Sequence, residues 1–200
     1  MFRYGMTLAG TVDAETQRIA DGLRQRDVAL LQALVEQYQY RLVRYLIYFL
    51  GRRDLVDDLV QETWLRVLER GGQYDGRSRF EPWLFTIARN LAVDQMRRRK
   101  IFSLDSNDDP DPGKGPLSPV ACGPSPFEEA ARTEDAQRIA AALGSLAPIY
   151  REALLLRFQE DLSMQEIATV IGAPVTTVSS RIHRGLATLR AQLEGGRHAD

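Results

Sequence analysis

The chain has 200 residues, with 44% apolar and 26% charged residues and a formal net charge of −1. This is ordinary globular composition, which excludes collagen-like, coiled-coil and disordered classes. One cysteine, Cys122, and two histidines, His183 and His198, exclude a disulfide framework and a cysteine-rich zinc site. The longest apolar run, Tyr45 to Leu50, falls far short of the ~20 residues of a membrane span, and the N-terminus lacks an apolar signal core. The chain is therefore expected in the cytoplasm, without membrane insertion.

Charge is unevenly placed. Residues 24–100 carry 15 Lys/Arg against 10 Asp/Glu, residues 101–135 carry 2 against 8, and residues 171–198 carry 4 against 1. Two basic blocks flanking an acidic strip point to nucleic acid for the blocks.

Residues 1–23 read as a variable arm, with a helix beginning near Thr16. From Asp27 to Leu50 apolar residues recur at helical spacing, and Gly51 ends the run. Asp54 reads as an N-cap with Asp57 at the third helical position, and the helix stops at Gly71-Gly72. A polar stretch from Gln73 to Arg79 leads to Pro82, near the first turn of a helix reaching about Arg99.

Residues 101–125 are rich in proline, glycine and aspartate and read as a flexible acidic linker. Ser125, Pro126 and Glu128 form a helix start, and helices are predicted at about 126–143, 148–159, 164–171 and 175–193. Strand alternation is absent. The fold class is thus all-α, with two small helical domains at 24–100 and 126–194 and a tail at 195–200.

The second domain contains a helix-turn-helix pattern. Ser163 and Glu166 form a capping box, Gly172 supplies a left-handed residue, and Pro174 restarts the chain. On the last helix Val175, Val178, Ile182, Leu186, Leu189 and Leu193 share one stripe. The opposite face carries Thr176, Thr177, Ser180, His183 and Arg184. These are short hydrogen-bonding groups and a fork-shaped cation, suited to base edges and phosphates in a major groove. Between Glu166 and Asp200 only Glu194 is acidic, which distinguishes this face from an ordinary solvated one. His183 has no ligand partner at metal spacing.

In the first domain, the helix from Asp54 has an inward stripe of Val56, Leu59, Val60, Thr63 and Val67. Asp58, Gln61, Glu62, Leu65 and Glu69 lie roughly opposite. A leucine among acids suits docking onto a basic partner helix. The helix from Pro82 turns Leu84, Ile87, Ala88 and Leu91 one way and Thr86, Arg89, Asn90, Val93 and Arg97 the other, with Trp83 beside Asn90. Four cations, Arg97 to Lys100, exceed what a helix dipole needs. Aromatic residues beside arginine and asparagine fit unstacked bases of a single strand. Core packing is the competing reading for Phe80 and Trp83.

Three segments resemble bacterial RNA polymerase sigma factors of the extracytoplasmic-function (ECF) group, within the sigma-70 superfamily. Residues 54–68 resemble the core-polymerase-binding segment, residues 80–94 the promoter-melting segment, and residues 162–186 the segment that reads the minus-thirty-five element. The resemblance implies that Asp58, Gln61, Glu62 and Leu65 grip the clamp of the polymerase largest subunit. It implies that Tyr74, Phe80, Trp83, Arg89, Asn90, Arg97 and Arg98 serve the minus-ten element, the Tyr74–Phe80 loop holding a flipped base. Thr176, Thr177, Ser179, Ser180, Arg181, His183 and Arg184 would serve the minus-thirty-five element. Ser179 stands where the family commonly has a basic residue, and the linker is comparatively long. Further implied partners are the flap of the second polymerase subunit, promoter DNA and a separate anti-sigma factor. No cofactor, metal or catalytic group is implied. The competing functions are a stand-alone helix-turn-helix regulator acting on duplex DNA without polymerase, and an enzyme, for which no nucleophile–base pair or phosphate loop is visible.

Overall fold

A computed structural model describes residues 8–105 and 134–195. All regular secondary structure among the described residues is helical, without strands. The first five residues of the predicted linker, 101–105, continue the helix from Phe80 instead; the rest of the linker and the predicted start at Ser125 to Glu128 lie outside the described residues.

The first helix, α1 (Leu8–Gln25), begins well before Thr16. It is more than an arm, because Ile19, Ala20 and Leu23 are core residues. Asp27 caps α2 (Val28–Leu50), its carboxylate accepting from the N–H groups of Ala29 at 2.9 Å and Leu30 at 3.2 Å. Gly51 closes α2 through its N–H on the Ile47 carbonyl.

The third helix, α3 (Val56–Arg70), departs from expectation at its start. Asp54 does not cap it; Leu55 occupies the cap position without a side-chain bond. The Asp54 carboxylate is held by both Nε and Nη2 of Arg52, each at 2.7 Å. The inward stripe is as read: Val56, Leu59, Val60, Thr63 and Val67 are buried. A 3₁₀ turn (Gly71–Gln73) leads to α4 (Phe80–Asp105).

In the C-terminal unit, α5 (Glu134–Ser145) precedes α6 (Pro148–Leu154), which runs on as a π-helical turn over Leu155–Gln159. The capping box is present: the Glu166 N–H donates to Ser163 Oγ at 3.3 Å and the Ser163 N–H donates to Glu166 Oε2 at 2.7 Å. It opens α7 (Met164–Ile171), which ends at Gly172 with φ +69°. That left-handed backbone is costly for a residue with a Cβ, so Gly172 fixes the turn into α8 (Val175–Gly195).

The buried stripe of α8 is rotated from the predicted one. Val178 and Ile182 are buried, whereas Val175 and Leu186 are 40% exposed. The rotation centres on Gly185, where an added Cβ would lie 3.1 Å from Leu154 Cδ1. A bare Cα there lets α8 cross α6 at close range.

Two apolar clusters hold the chain together. One joins α1, α2, α3 and α4 through Leu23, Leu34, Tyr38, Val67, Tyr74, Phe80 and Leu84. The other is shared by both units, joining Leu42, Tyr45, Phe85, Ala88 and Ala92 to Leu154, Leu162, Ile167, Val170 and Val178. Small Ala88 and Ala92 on α4 admit α7 against it. Sequence periodicity places Ala88 on the inward face but does not reveal that this face meets a second unit.

Candidate docking groove and nucleic-acid interface

Helices α2 and α3 leave a groove of about 390 Å³ between them, lined by Val35, Gln39, Val43, Asp57, Val60, Gln61, Trp64, Leu65 and Leu68. Leu65 and Leu68 on its rim are 47% and 41% exposed. The Trp64 indole N–H is buried without an acceptor among the described residues. Of the residues predicted for docking, Gln61 and Leu65 line the groove, and Asp58 is exposed on the same helix. Glu62 is partly held by Arg66, whose Nε lies 2.8 Å from its Oε1. The contribution of α2 escaped sequence reading. Val35, Gln39 and Val43 recur every four residues, and that second stripe on α2 is the signal that could have found them. Such a groove, apolar within and acidic at the edge, accepts a helix with apolar anchors and basic flanks.

The predicted minus-ten residues divide. Trp83 is half-buried, while Asn90, Arg97 and Arg98 are exposed along α4. Tyr74 and Phe80 are core side chains, each 1% exposed, and are not presented to a base. Their rings meet edge to face at 5.5 Å, and both lie within 6 Å of the Trp83 ring, at 5.5 and 5.7 Å. The Tyr74 hydroxyl donates to the Ser78 carbonyl, pinning the 74–80 loop, and burial pushes its pKa up to about 12. Packing of this aromatic cluster explains why the loop's aromatic residues point inward.

Arg89 is also not free for DNA in this conformer. Its Nε donates to Glu152 Oε1 at 2.9 Å, across the junction between the two units. The Tyr45 hydroxyl donates to the same oxygen at 3.4 Å. Burial raises the Glu152 carboxyl pKa, and the neighbouring Arg89 opposes that rise.

On α8, Thr176, Ser179, Ser180, His183 and Arg184 are exposed, and Thr177 and Arg181 are half-buried. The face therefore exists as an acid-free surface over about two and a half turns of α8. Arg181 leans toward the junction, near enough to influence Glu152 electrostatically. Among the described residues there is no group of three or more metal-ligating side chains, and no helix is long and apolar enough to cross a membrane.

Residues 34–101 match the family model for Sigma-70 region 2, and residues 136–189 match that for Sigma-70, region 4. The ECF RNA polymerase sigma factor SigW of Bacillus subtilis is 31% identical over 162 residues, covering 80% of this chain and 87% of that protein. SigX of the same organism is 32% identical over 168 residues, covering 82% and 83%. Among solved structures, the sigma factor RpoE in complex with the anti-sigma factor NepR from Bartonella quintana aligns with a TM-score of 0.68 and 28% identity, over 82% of this chain and 96% of that one. CnrH in complex with the cytosolic domain of CnrY aligns with a TM-score of 0.64 and 26% identity, over 90% and 97%. The chain belongs to the ECF group of sigma-70 factors and is a non-enzymatic initiation factor that directs RNA polymerase to promoters.

Proposed function

We propose that the two helical units divide promoter recognition between them. The first, approximately residues 24–100, docks on polymerase and serves the minus-ten element. The second, approximately 126–194, reads the minus-thirty-five element. The observation that supports this best is the pairing, on one chain, of a helix-accepting groove at α2 and α3 with an exposed, acid-free face on α8.

The groove takes the clamp helices of the largest polymerase subunit. Leu65 and Leu68 supply apolar anchors, and Asp58, Gln61 and Glu62 meet basic flanks. Asn90, Arg97 and Arg98 follow the melted strand at the minus-ten element, and Trp83 wedges against its bases. Thr176, Thr177, Ser179, Ser180, Arg181, His183 and Arg184 enter the major groove at the minus-thirty-five element, and the second unit also meets the flap of the second subunit. A separate anti-sigma factor controls access to these surfaces, as the complexes of RpoE with NepR and of CnrH with CnrY suggest. Each DNA contact is weak by itself, and polymerase combines them by raising effective concentration.

Two expected outcomes test the DNA contacts. Arg184→Ala weakens holoenzyme binding to a matched promoter by about 1–3 kcal/mol, read in a filter-binding titration. Equal affinity for the variant removes Arg184 from the reading face. Trp83→Ala leaves recruitment of polymerase to the promoter nearly intact but reduces strand opening, read as permanganate reactivity of minus-ten thymines. A footprint as strong as the wild type's contradicts the wedge role.

A further inference from the structure

Helix α1 takes no part in the contacts proposed above, and it lies ahead of the residues that match the region 2 model. Its buried side meets α2 and the turn between α3 and α4. Thr16, Ile19, Ala20 and Leu23 are each 5% exposed or less. The turn comes against them at two glycines. A Cβ added to Gly71 would lie 3.0 Å from Leu23 Cβ and 3.3 Å from the Leu23 carbonyl oxygen. One added to Gly76 would lie 3.1 Å from both Ala20 Cβ and the Thr16 carbonyl oxygen, and the backbone there has φ +72°. The turn's main chain therefore rests directly on the helix, with no room for a side chain between them. Gly76 is buried, while the side chains of its neighbours Asp75 and Arg77 are 57% and 88% exposed.

The support is itself fixed. The Arg26 N–H donates to the Leu23 carbonyl at 3.3 Å and the Asp27 N–H to the Gly22 carbonyl at 2.9 Å, which ties the end of α1 to the capped start of α2. Bonds within the turn are local: Asp75 Oδ1 accepts from the Arg77 N–H at 3.0 Å, and the Tyr74 hydroxyl donates to the Ser78 carbonyl. Such bonds fix the shape of the turn, and α1 fixes where it sits. Between the two glycines stands Tyr74, whose ring lies 5.5 Å from that of the half-buried Trp83. Close-packed groups pass a displacement on, because a protein interior is dense and barely compressible. Contact thus runs from α1 through the turn to Tyr74 and on to Trp83.

We propose that α1 is a positioning element for strand opening. By seating Gly71 and Gly76 it places Tyr74, and through Tyr74 it sets the angle at which the Trp83 ring meets melted bases. Ala20 is the positioning residue, and Trp83 is the one that touches DNA. The opening part rests on the wedge role of Trp83 proposed above. The seat itself is measured on the free chain, so the two ideas fail separately.

The test labels the full chain with 5-fluorotryptophan, whose two fluorine resonances are assigned with Trp64→Phe and Trp83→Phe. Ala20→Val drives extra methyl groups against the turn. Ala20→Gly removes the methyl group on which Gly76 rests, and it serves should the larger side chain prevent folding. Either substitution moves the Trp83 resonance by more than that of Trp64. The variant holoenzyme forms with wild-type core affinity but lowers permanganate reactivity of minus-ten thymines at least ~5-fold, the scale of one lost base–aromatic stack. On a template already unpaired at the minus-ten element, its transcription returns to the wild-type level, which a merely unstable chain does not achieve. A Trp83 resonance unmoved by both substitutions overturns the seat. A moved resonance with wild-type opening, or a defect that persists on the premelted template, overturns the role in opening. If Trp83→Ala itself opens the promoter normally, the wedge reading falls and takes the role in opening with it, while the resonance still decides the seat.

Discussion

Leu65→Asp combined with Leu68→Asp lowers affinity for core RNA polymerase by about 100-fold or more, equivalent to ~2.7 kcal/mol. Both leucines stand on the rim of the α2–α3 groove and are 47% and 41% exposed in the free chain. Covering a leucine fully is worth about 1.5–3 kcal/mol, and a carboxylate forced into the covered site adds a desolvation cost. Neither side chain belongs to the cores to which α3 contributes Val56, Leu59, Val60, Thr63 and Val67. The urea midpoint should therefore shift by little more than the ~0.5 kcal/mol typical of surface changes. Fluorescence anisotropy of labelled chain against core enzyme measures the loss. Wild-type affinity in a folded double variant would place docking elsewhere.

A second large effect is expected from Arg151→Met, which destabilises the chain by about 2–3 kcal/mol, because hydrogen bonds to a charged group are worth roughly 1.5–3 kcal/mol and buried carbonyls lose their donor. Arg151 is 8% exposed. Its guanidinium donates to the carbonyls of Leu143 at 2.9 Å and Leu146 at 2.9 Å, to that of Gly144, and across the junction to Tyr48 and Phe49. Burial lowers its pKa, but a guanidinium remains charged in water at any ordinary pH. Removing it leaves the carbonyls at the end of α5 and in the turn to α6 without this donor. Arg151→Lys recovers only part of the loss, because one ammonium cannot reproduce the planar fork that reaches both sides. Thermal unfolding followed by circular dichroism checks both variants. A melting curve for Arg151→Met that overlays the wild type's would show that the network carries little stability.

Local chemistry made much of this fold readable. Gly51, Ser163, Glu166 and Gly172 act at helix ends, where one side chain or one left-handed residue decides the outcome, and each sits where its sequence context places it. The inward stripe of α3 was equally legible, because a three-to-four-residue period needs no knowledge of partners. Asp54 was misleading, since Arg52, two residues before it, competes for the same carboxylate. Tyr74 and Phe80 illustrate a different limit. An aromatic residue beside a basic helix has the same sequence signature whether it stacks on a base or on Trp83, and only packing distinguishes the two. Arg89, Arg41, Glu152 and Glu160 were unreadable as partners because their pairing spans the linker, with separations in sequence of 63 and 119 residues. Val35, Gln39 and Val43 repeat at four-residue spacing on α2, a signal present in the sequence but overshadowed by the core-facing stripe of the same helix.

Transcription in vitro offers the most direct measurement. The purified chain is added to sigma-free core polymerase on a fragmented genomic template, and transcript 5′ ends are mapped. The two-unit account predicts discrete start sites, absent without the chain, that share two sequence blocks at minus ten and minus thirty-five. Transcripts no different from core enzyme alone, or duplex binding at those sites by the chain without polymerase, would contradict it.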